Sequence, residues 1–330
     1  MKSYNTKTSR NNMIQFFRAI SIIAVVMIHT TPYGECQVFC RPFINFSVAT
    51  FLFLSGYLTK IENDNWCFSI KKRIIRVIVP YIIWTIIYTM PSLISGGGGW
   101  LLIENLLTAK AAGKLYYIFV YIQFVLLAPF LSLLAKSKYR HLGWFVAPIS
   151  ILIFKYYGLL TGTQTSEFLK LLWSNSCLGW FTFFYLGLML GNRVLQPNFS
   201  LKKLELLYFV SIIFQMGEGY VWYVLGESNY GTQIKITSLI TSTLCMLIIY
   251  TILNTRSLLI KNRFLLSLGD YSFGIYLSHI MVLMILERIS IYAIIPYPLT
   301  SVIVVLISWG CCKIGRLICG KQLSGFIGLQ

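Results

Sequence analysis

Two ionisable side chains bracket an apolar stretch near the start of the chain. The segment RAISIIAVVMIHT, residues 18–30, places Arg18 eleven residues before His29, with no charged residue between them. On a helix this spacing is about 16 Å along the axis and three turns plus about 20°, so both side chains share one face. An ionisable group within a membrane span is costly and usually functional. The pattern predicts a helix face with a cation near the cytoplasm and a neutral base, His29, deeper in the membrane.

A second group of cations opens the stretch KKRIIRVIVP, residues 71–80. Arg73 and Arg76 are three residues apart, which places both guanidinium groups on one helix face. Together with Lys71 and Lys72 they could clamp an anion, and arginine is well suited to phosphate. The same four residues would also serve as a positively charged anchor at the membrane surface. The sequence leaves both interpretations open.

Other ionisable groups fall in later apolar segments. In LGDYSFGIYLSH, Asp270 and His279 are nine residues apart and point to opposite sides of a straight helix. His279 is therefore either a second polar residue of a pocket or a structural hydrogen-bonding group. Glu218, in QMGEGY, and Glu35, six residues after His29, are candidate carboxylate partners for the His29 imidazole.

The composition is that of a membrane protein. Of 330 residues, 57% are hydrophobic and 12% are charged, whereas a soluble domain has about 25% charged residues. Apolar runs near the length that a bilayer requires, about 20 residues, recur along the chain and favour helices over a barrel. We predict an all-α polytopic protein with about ten transmembrane helices. The predicted spans cover residues 14–31, 43–59, 74–94, 115–135, 142–160, 172–191, 204–225, 236–253, 264–286 and 298–317.

The distribution of positive charge predicts the topology. With the N-terminus in the cytoplasm, 21 of the 28 Lys and Arg residues fall on the inner side, six fall on the outer side, and Lys155 lies within a span. This bias agrees with the positive-inside rule, so both termini are predicted to be cytoplasmic. The net charge of +18 then reflects topology and attraction to an anionic inner leaflet, not nucleic-acid binding.

The chain is predicted to form a single membrane domain over residues 1–330. No internal repeat is visible, and a soluble domain following residue 330 in the full gene remains open. Eight cysteines are scattered along the chain with no spacing typical of a zinc site, so no metal is expected. Cys36 and Cys40 share the first outer loop and could pair if that side is oxidising.

Four motifs, in a fixed order, resemble those of one family of membrane enzymes. Arg18 and His29 resemble an R-x10-H signature, and the FLFLSGY of residues 51–57, which contains Ser55, is similar to an FF-x-x-SG pattern. KKRIIR carries an R-x-x-R motif, and LGDYSFGIYLSH is close to a late-span pattern that ends in histidine. On these motifs the chain resembles the acyltransferase-3 family of bacterial membrane O-acyltransferases over nearly its whole length. One departure is KLYYIF, where Tyr116 and Tyr117 stand in place of a tryptophan-containing motif.

The resemblance implies a donor, an acceptor and a location. The donor would be acetyl-CoA on the cytoplasmic side of a bacterial inner membrane, with its phosphates held by Arg18, Arg73, Arg76 and Lys72. The acceptor would be a hydroxyl of a cell-surface glycan or its precursor. His29 would act as general base or as an acyl carrier. The remaining pocket residues would be His279, Ser55, Tyr116 and Tyr117.

Two alternatives keep the membrane assignment and change the activity. The family also resembles the membrane domain of membrane-bound serine racemases from vancomycin-resistant bacteria, in which a soluble racemase follows the last span. The other alternative is a transporter or flippase of a polar solute, because intramembrane ionisable groups also suit transport. The arginine pair beside a single histidine and the lack of a repeat argue against transport.

Overall fold

The computed structural model describes residues 2–63, 65–112, 115–162, 166–255, 260–289 and 294–329. The protein is 80% helical, and the described residues form no strand, which confirms the predicted all-α class. Eight of the described helices are long and apolar enough to cross a membrane, and a ninth span is added if one bent pair of helices is counted. The protein is therefore a polytopic helical membrane protein. The cytoplasmic location of both termini stays a prediction.

The first half of the chain contains six helices that include four of these spans. The helices are α1 (Lys2–Thr30), α2 (Glu35–Cys40), α3 (Phe46–Leu58), α4 (Trp66–Ile94), α5 (Trp100–Thr108) and α6 (Tyr116–Lys136). A 3-10 turn at Arg41–Phe43 joins α2 to α3, and the two helices together form the apolar span Glu35–Leu58. The second predicted span therefore begins earlier than the sequence pattern indicated.

The second half of the described chain contains nine helices of very different lengths. They are α7 (Gly143–Ile151), α8 (Tyr157–Thr161), α9 (Glu167–Ser174), α10 (Phe181–Gly191), α11 (Leu201–Val224), α12 (Ile236–Thr255), α13 (Arg263–Asp270), α14 (Ser272–Leu286) and α15 (Leu299–Ile327). A π-helical turn at Leu152–Tyr156 links α7 to α8, so the fifth predicted span is continuous over Arg140–Thr161.

The sixth predicted span, residues 172–191, is not one continuous helix. It is divided between α9, a 3-10 turn at Leu178–Trp180, and α10. With 11 residues, α10 is about 16 Å long, roughly half the thickness of the hydrocarbon core. Because its residues from Phe181 to Leu190 are all buried, protein rather than lipid surrounds this short helix.

Glycines allow α10 to lie directly against α3. A Cβ atom on Gly187 would collide with the backbone carbonyl of Phe53, and one on Gly191 would collide with that of Tyr57. Small residues four positions apart let two backbones approach closely where hydrophobic burial drives little association in lipid. Helix α10 is therefore held directly against α3.

The ninth predicted span is sharply bent. Helices α13 and α14 meet at Tyr271 at an angle of 80°, so residues 264–286 do not form the straight helix that the sequence predicted. Gly269 brings α13 against α1, because a Cβ atom there would collide with the Gln15 carbonyl. The bend sends α14 along α1 toward its C-terminal end.

The last helix, α15, changes direction near its end. Gly320 has a φ of 69°, a conformation outside the helical region and favoured by glycine. The residues after Gly320 return toward the bundle, where the Ile327 carbonyl accepts a hydrogen bond of 2.9 Å from the Trp84 indole. The end of the described chain therefore packs beside α4.

Candidate active site

A cavity of about 670 Å³ lies between α1, α3, α4, α6 and the last three helices. We call it the arginine cavity because four arginines line it: Arg18, Arg73, Arg76 and Arg316. Its volume falls in the range of ligand pockets, about 300–1,000 Å³. Three of the four arginines belong to the two motifs that sequence analysis singled out. The structure therefore brings the two basic motifs, from separate helices, to a single site.

The arginines of this cavity contact neutral groups. Arg18 donates to the Gln15 side-chain oxygen at 3.4 Å, Arg73 donates to the Thr59 hydroxyl at 2.8 Å, and Arg316 donates to the Tyr271 hydroxyl at 3.4 Å. The three ion pairs found within 4.0 Å in the described part of the chain involve none of the four arginines.

One carboxylate, Asp270, also lines the arginine cavity, and it is exposed. Four guanidinium groups around one cavity repel one another, and an anion placed between them would relieve this repulsion. Arginine also offers the planar, multiple donors that phosphate accepts. The cavity is thus suited to a ligand that carries several negative charges.

The apolar end of the cavity leads toward His29 and His279. Val25 and Tyr276 both line the cavity, and Val25 precedes His29 by one helical turn, about 6 Å along the axis. The Tyr276 ring lies 6.1 Å from the His279 ring, centroid to centroid. A ligand whose charged end lies among the arginines could therefore extend along α1 to the two histidines.

The two histidine rings pack against each other. Their centroids are 5.2 Å apart and their planes are inclined by 30°, although 250 residues of sequence separate them. The His279 side chain is buried, and its Nδ1 lies 2.7 Å from the Tyr276 carbonyl and 3.1 Å from the Ile275 carbonyl. Because carbonyl oxygens only accept, Nδ1 carries the proton in the neutral ring and Nε2 carries the lone pair. A base of defined tautomer thus stands beside His29.

The position of His29 follows from the way α1 ends. Pro32 has no N–H group, so it cannot donate to the Ile28 carbonyl as the next residue of a helix would. Arg41 supplies that hydrogen bond instead, at 2.9 Å, and the Thr31 hydroxyl donates to the Met27 carbonyl. Thr30 is joined to Ser301 of α15 by a hydroxyl contact of 2.7 Å. The last turn of α1, which carries His29, is therefore held by two other parts of the chain.

The other predicted pocket residues divide into two groups. Ser55 and Tyr117 line the arginine cavity, where the Tyr117 ring lies 5.5 Å from that of Tyr276. Tyr116 instead stacks on Trp180, with centroids 6.2 Å apart, and Lys72 is exposed outside the set of lining residues.

Two residues that line the arginine cavity, Arg316 and Tyr276, are not among the site residues that the sequence predicts. The sequence offers one signal for Arg316, which lies in the last apolar segment on the same predicted membrane side as Arg18 and Arg73.

Glu218 belongs to a different cluster, which we call the Glu218 cluster: Glu218, Tyr156, Thr237, Lys235 and Trp222. The Tyr156 and Thr237 hydroxyls donate to the Glu218 carboxylate, and so does the Thr237 backbone N–H at 3.3 Å. The Lys235 ammonium donates to the Tyr230 carbonyl at 2.7 Å and lies 5.4 Å from the centre of the Trp222 ring.

The environment of Lys235 affects its protonation. The side chain is 2% exposed, and burial lowers the pKa of Lys235 to about 8, against an opposing effect of the Glu218 charge. In the Glu218 cluster the protein itself supplies the contacts of both ionisable groups, Glu218 and Lys235.

Glu35 is exposed at the first residue of α2. The roles of Glu35 and Glu218 as partners of His29 stay predictions. On the same helix the Cys36 thiol donates to the Cys40 sulfur at 3.7 Å, and the two cysteines form no disulfide.

Comparison with known proteins identifies the family. The family model described as "Acyltransferase domain", that of the acyltransferase-3 family, matches residues 11–313. Comparisons with curated proteins and with solved structures give no match. The matched range contains Arg18, His29, the α4 arginines and His279, and it covers most of the described chain. The protein is a multi-pass membrane acyltransferase and belongs to the acyltransferase-3 family.

Proposed function

We propose that this protein transfers an acetyl group from cytoplasmic acetyl-CoA to a hydroxyl of a cell-surface glycan or its precursor. The observation that carries the proposal is the arginine cavity, where four arginines and one carboxylate meet and where, among the described residues, no arginine forms an ion pair within 4.0 Å. Val25, at its apolar end, lies one helical turn from His29, whose ring packs against that of His279. The acetyl donor, the glycan acceptor and a location in the bacterial inner membrane come from the family resemblance and the charge distribution of the sequence.

The donor fits the cavity in charge and in direction. The phosphates of CoA would lie among Arg18, Arg73, Arg76 and Arg316, where each gains charge-assisted hydrogen bonds. The uncharged pantetheine arm would extend past Val25 and Tyr276. Since Arg18 and His29 are about 16 Å apart along α1, the thioester at the end of this arm would reach the histidine pair.

The chemistry at the histidine pair is a transfer of one acyl group and one proton. His29 takes the proton of the acceptor hydroxyl, and the oxygen attacks the thioester carbonyl. The tetrahedral intermediate collapses with cleavage of the C–S bond, so the ester forms and CoA leaves as a thiolate. The proton held by His29 then passes to this thiolate, which restores the neutral imidazole. A route through an acyl-imidazole would use the same residue as nucleophile.

His279 would support the reaction as a positioning residue. Its Nδ1 is engaged by two backbone carbonyls, so the ring is held in one orientation beside His29. A fixed neighbour restricts the rotamers that His29 can adopt. This gives His29 a defined direction toward the apolar end of the cavity.

The test measures acetyl-CoA binding and CoA release by the purified protein in detergent. We compare the wild type with His29→Gln, with the double variant Arg73→Gln/Arg76→Gln, and with Lys71→Gln/Lys72→Gln. The last variant is a control that removes the same number of charges from exposed positions of the same helix, outside the cavity lining. We expect the arginine variant to lose binding about 100-fold, because charged hydrogen bonds contribute about 1.5–3 kcal/mol each. We expect His29→Gln to bind acetyl-CoA normally and to release CoA at least 100-fold more slowly.

Two results would overturn the proposal. One is a wild-type protein that shows no binding of acetyl-CoA at any concentration tested. The other is an equal loss of binding in Lys71→Gln/Lys72→Gln and in the arginine variant, because that would assign the effect to general surface charge. A normal rate of CoA release in His29→Gln would remove His29 from the chemistry and leave donor binding intact.

A further inference from the structure

A second cavity of about 860 Å³ lies on the other side of α3. It shares no lining residue with the arginine cavity. It is formed by the chain that follows α3 and by the ends of α6, α10 and α12. Three cations line it: Lys60 after α3, Lys136 at the end of α6, and Arg193 after α10. Acyl transfer as described above does not use it.

The wall of the second cavity is built by Asn192. The Asn192 amide donates to the Thr59 carbonyl at 2.8 Å and to the Leu188 carbonyl at 2.9 Å, and its oxygen accepts the Ile61 N–H at 3.0 Å. One side chain thus joins the end of α10 to the segment that carries Lys60. These hydrogen bonds fix the position of Lys60 relative to the residue after Asn192.

That next residue, Arg193, has an unusual backbone conformation. Its φ is 58°, in the left-handed region that residues with a Cβ atom rarely adopt. Here it ends α10, because the Val194 N–H donates to the Met189 carbonyl at 2.9 Å and the Arg193 N–H donates to the Leu190 carbonyl at 3.2 Å. Arg193 is also a lining residue of the cavity.

The positive charge in this cavity is only partly balanced. Lys136 pairs with Glu62 at 3.4 Å, and both side chains are at least half exposed. Within the described residues no carboxylate lies within 4.0 Å of Lys60 or Arg193. Tyr57 and Tyr250 also line the cavity, so two hydroxyl groups accompany the side chains of Lys60 and Arg193. Cations and hydroxyl donors around a concave surface form a site for an oxyanion.

We propose that the second cavity binds a phosphate ester, either the headgroup of an anionic phospholipid or a soluble phosphate. The lining helices end here beside apolar, lipid-facing surface: α6 exposes Leu126, Phe130 and Leu133 on the way to Lys136. Basic pockets between helix ends at the membrane surface are suited to anionic lipid headgroups. The site would tie the protein to anionic lipid, independently of the acyl donor.

The test uses dioctanoyl phosphatidylglycerol, dioctanoyl phosphatidylcholine and glycerol 1-phosphate as probes. Binding is measured by thermophoresis on the full chain in a neutral detergent. The variant is Lys60→Gln/Arg193→Asn, since asparagine tolerates the left-handed conformation. The control is Lys202→Gln/Lys203→Gln, which removes two cations from the start of α11, outside the cavity lining. Lys60→Gln alone, at an exposed position, serves as a second variant that leaves the backbone untouched.

We expect the wild type to bind phosphatidylglycerol and not phosphatidylcholine. The affinity should fall at least tenfold in the double variant, about half as much on a logarithmic scale in Lys60→Gln, and not at all in the control. Competition by glycerol 1-phosphate at similar concentration would identify the ligand as a soluble phosphate, and lack of competition would identify the lipid. Equal binding of every probe by the wild type and both variants, or no binding of any probe, would overturn the proposal.

A separate measurement distinguishes this proposal from the one on acyl transfer. Acetyl-CoA affinity should be the same in Lys60→Gln/Arg193→Asn and in the wild type, because the two cavities share no lining residue. A parallel loss of both affinities would show that the second cavity is part of the donor site, and the independent site would be rejected.

Discussion

The arginine cavity and the Glu218 cluster both gather charged groups from separate segments of the chain, but the partners of these groups differ. In the Glu218 cluster the carboxylate accepts two hydroxyl groups and a backbone N–H, and Lys235 has a carbonyl and an aromatic ring as partners. In the arginine cavity the hydrogen bonds found for the guanidinium groups go to neutral oxygens.

The difference distinguishes a structural use of charge from a binding use. Buried polar groups need partners, and where the protein supplies them the group contributes to the fold. Where one carboxylate faces four cations and the hydrogen bonds go to neutral groups, a ligand of opposite charge can complete the site. A carboxylate in an apolar helix is rare, which is why the sequence offers Glu218 as a candidate partner of His29. In the structure its hydrogen bonds are with Tyr156 and Thr237.

The largest effect expected concerns the histidine pair. His279→Phe keeps an aromatic ring against His29 and removes both ring nitrogens. We expect the rate of transfer from acetyl-CoA to fall about 100-fold with unchanged acetyl-CoA affinity, because phenylalanine cannot make the hydrogen bonds to Ile275 and Tyr276 that hold the His279 ring. The rate is measured at saturating donor and the affinity in a separate titration. A rate near that of the wild type would show that ring packing alone positions His29 and would contradict the expectation.

The next largest effect concerns Arg316, the cavity residue that sequence analysis missed. Arg316→Gln should weaken acetyl-CoA binding about tenfold, because it removes one charged donor from the cavity. Its matched control is Lys313→Gln, on the same helix, at an exposed position beside Trp309. Equal affinities in the two variants would remove Arg316 from the donor site.

A smaller effect, on stability instead of binding, is expected for Glu218→Gln. The amide keeps the shape of the side chain but loses the charge that three donors contact, which should cost about 1–3 kcal/mol of unfolding free energy. Thermal unfolding in detergent should therefore shift to lower temperature while acetyl-CoA affinity stays at the wild-type value. A marked loss of affinity without a stability change would return Glu218 to the active site.

The smallest effect is the pH dependence contributed by Lys235. Its pKa in the folded protein is about 8, below its ordinary value of 10.5. Between these two pH values the unfolded chain binds more protons at this residue than the folded protein, so stability rises with pH. We expect the melting temperature to increase across this window in the wild type and to increase less in Lys235→Met. Identical pH profiles for the two proteins would contradict the expectation.

The sequence predicted the helical membrane class for a physical reason. Spacing along one helix fixes which side chains share a face, and on that basis Arg18 was grouped with His29 and Arg73 with Arg76. Apolar length likewise located eight of the ten predicted spans among the described helices. Both inferences are local and need no knowledge of how the helices pack.

Contacts between helices could not be predicted in this way. The meeting of His279 with His29 depends on the 80° bend at Tyr271 and on the close approach that Gly269 permits. The division of residues 172–191 into short helices depends equally on packing, since apolar composition is the same for a long span and for a buried short helix. Arg316 reaches the cavity from the last helix through the same three-dimensional arrangement.

The short length of α10 bears on how this protein fits membranes of different thickness. A lipid-facing helix must match the hydrocarbon core or tilt within it. Helix α10 is about 16 Å long, and its residues from Phe181 to Leu190 are buried, so its length follows from its contacts with α3 and not from the bilayer. Adjustment to a thicker or thinner membrane therefore falls to the longer helices around it.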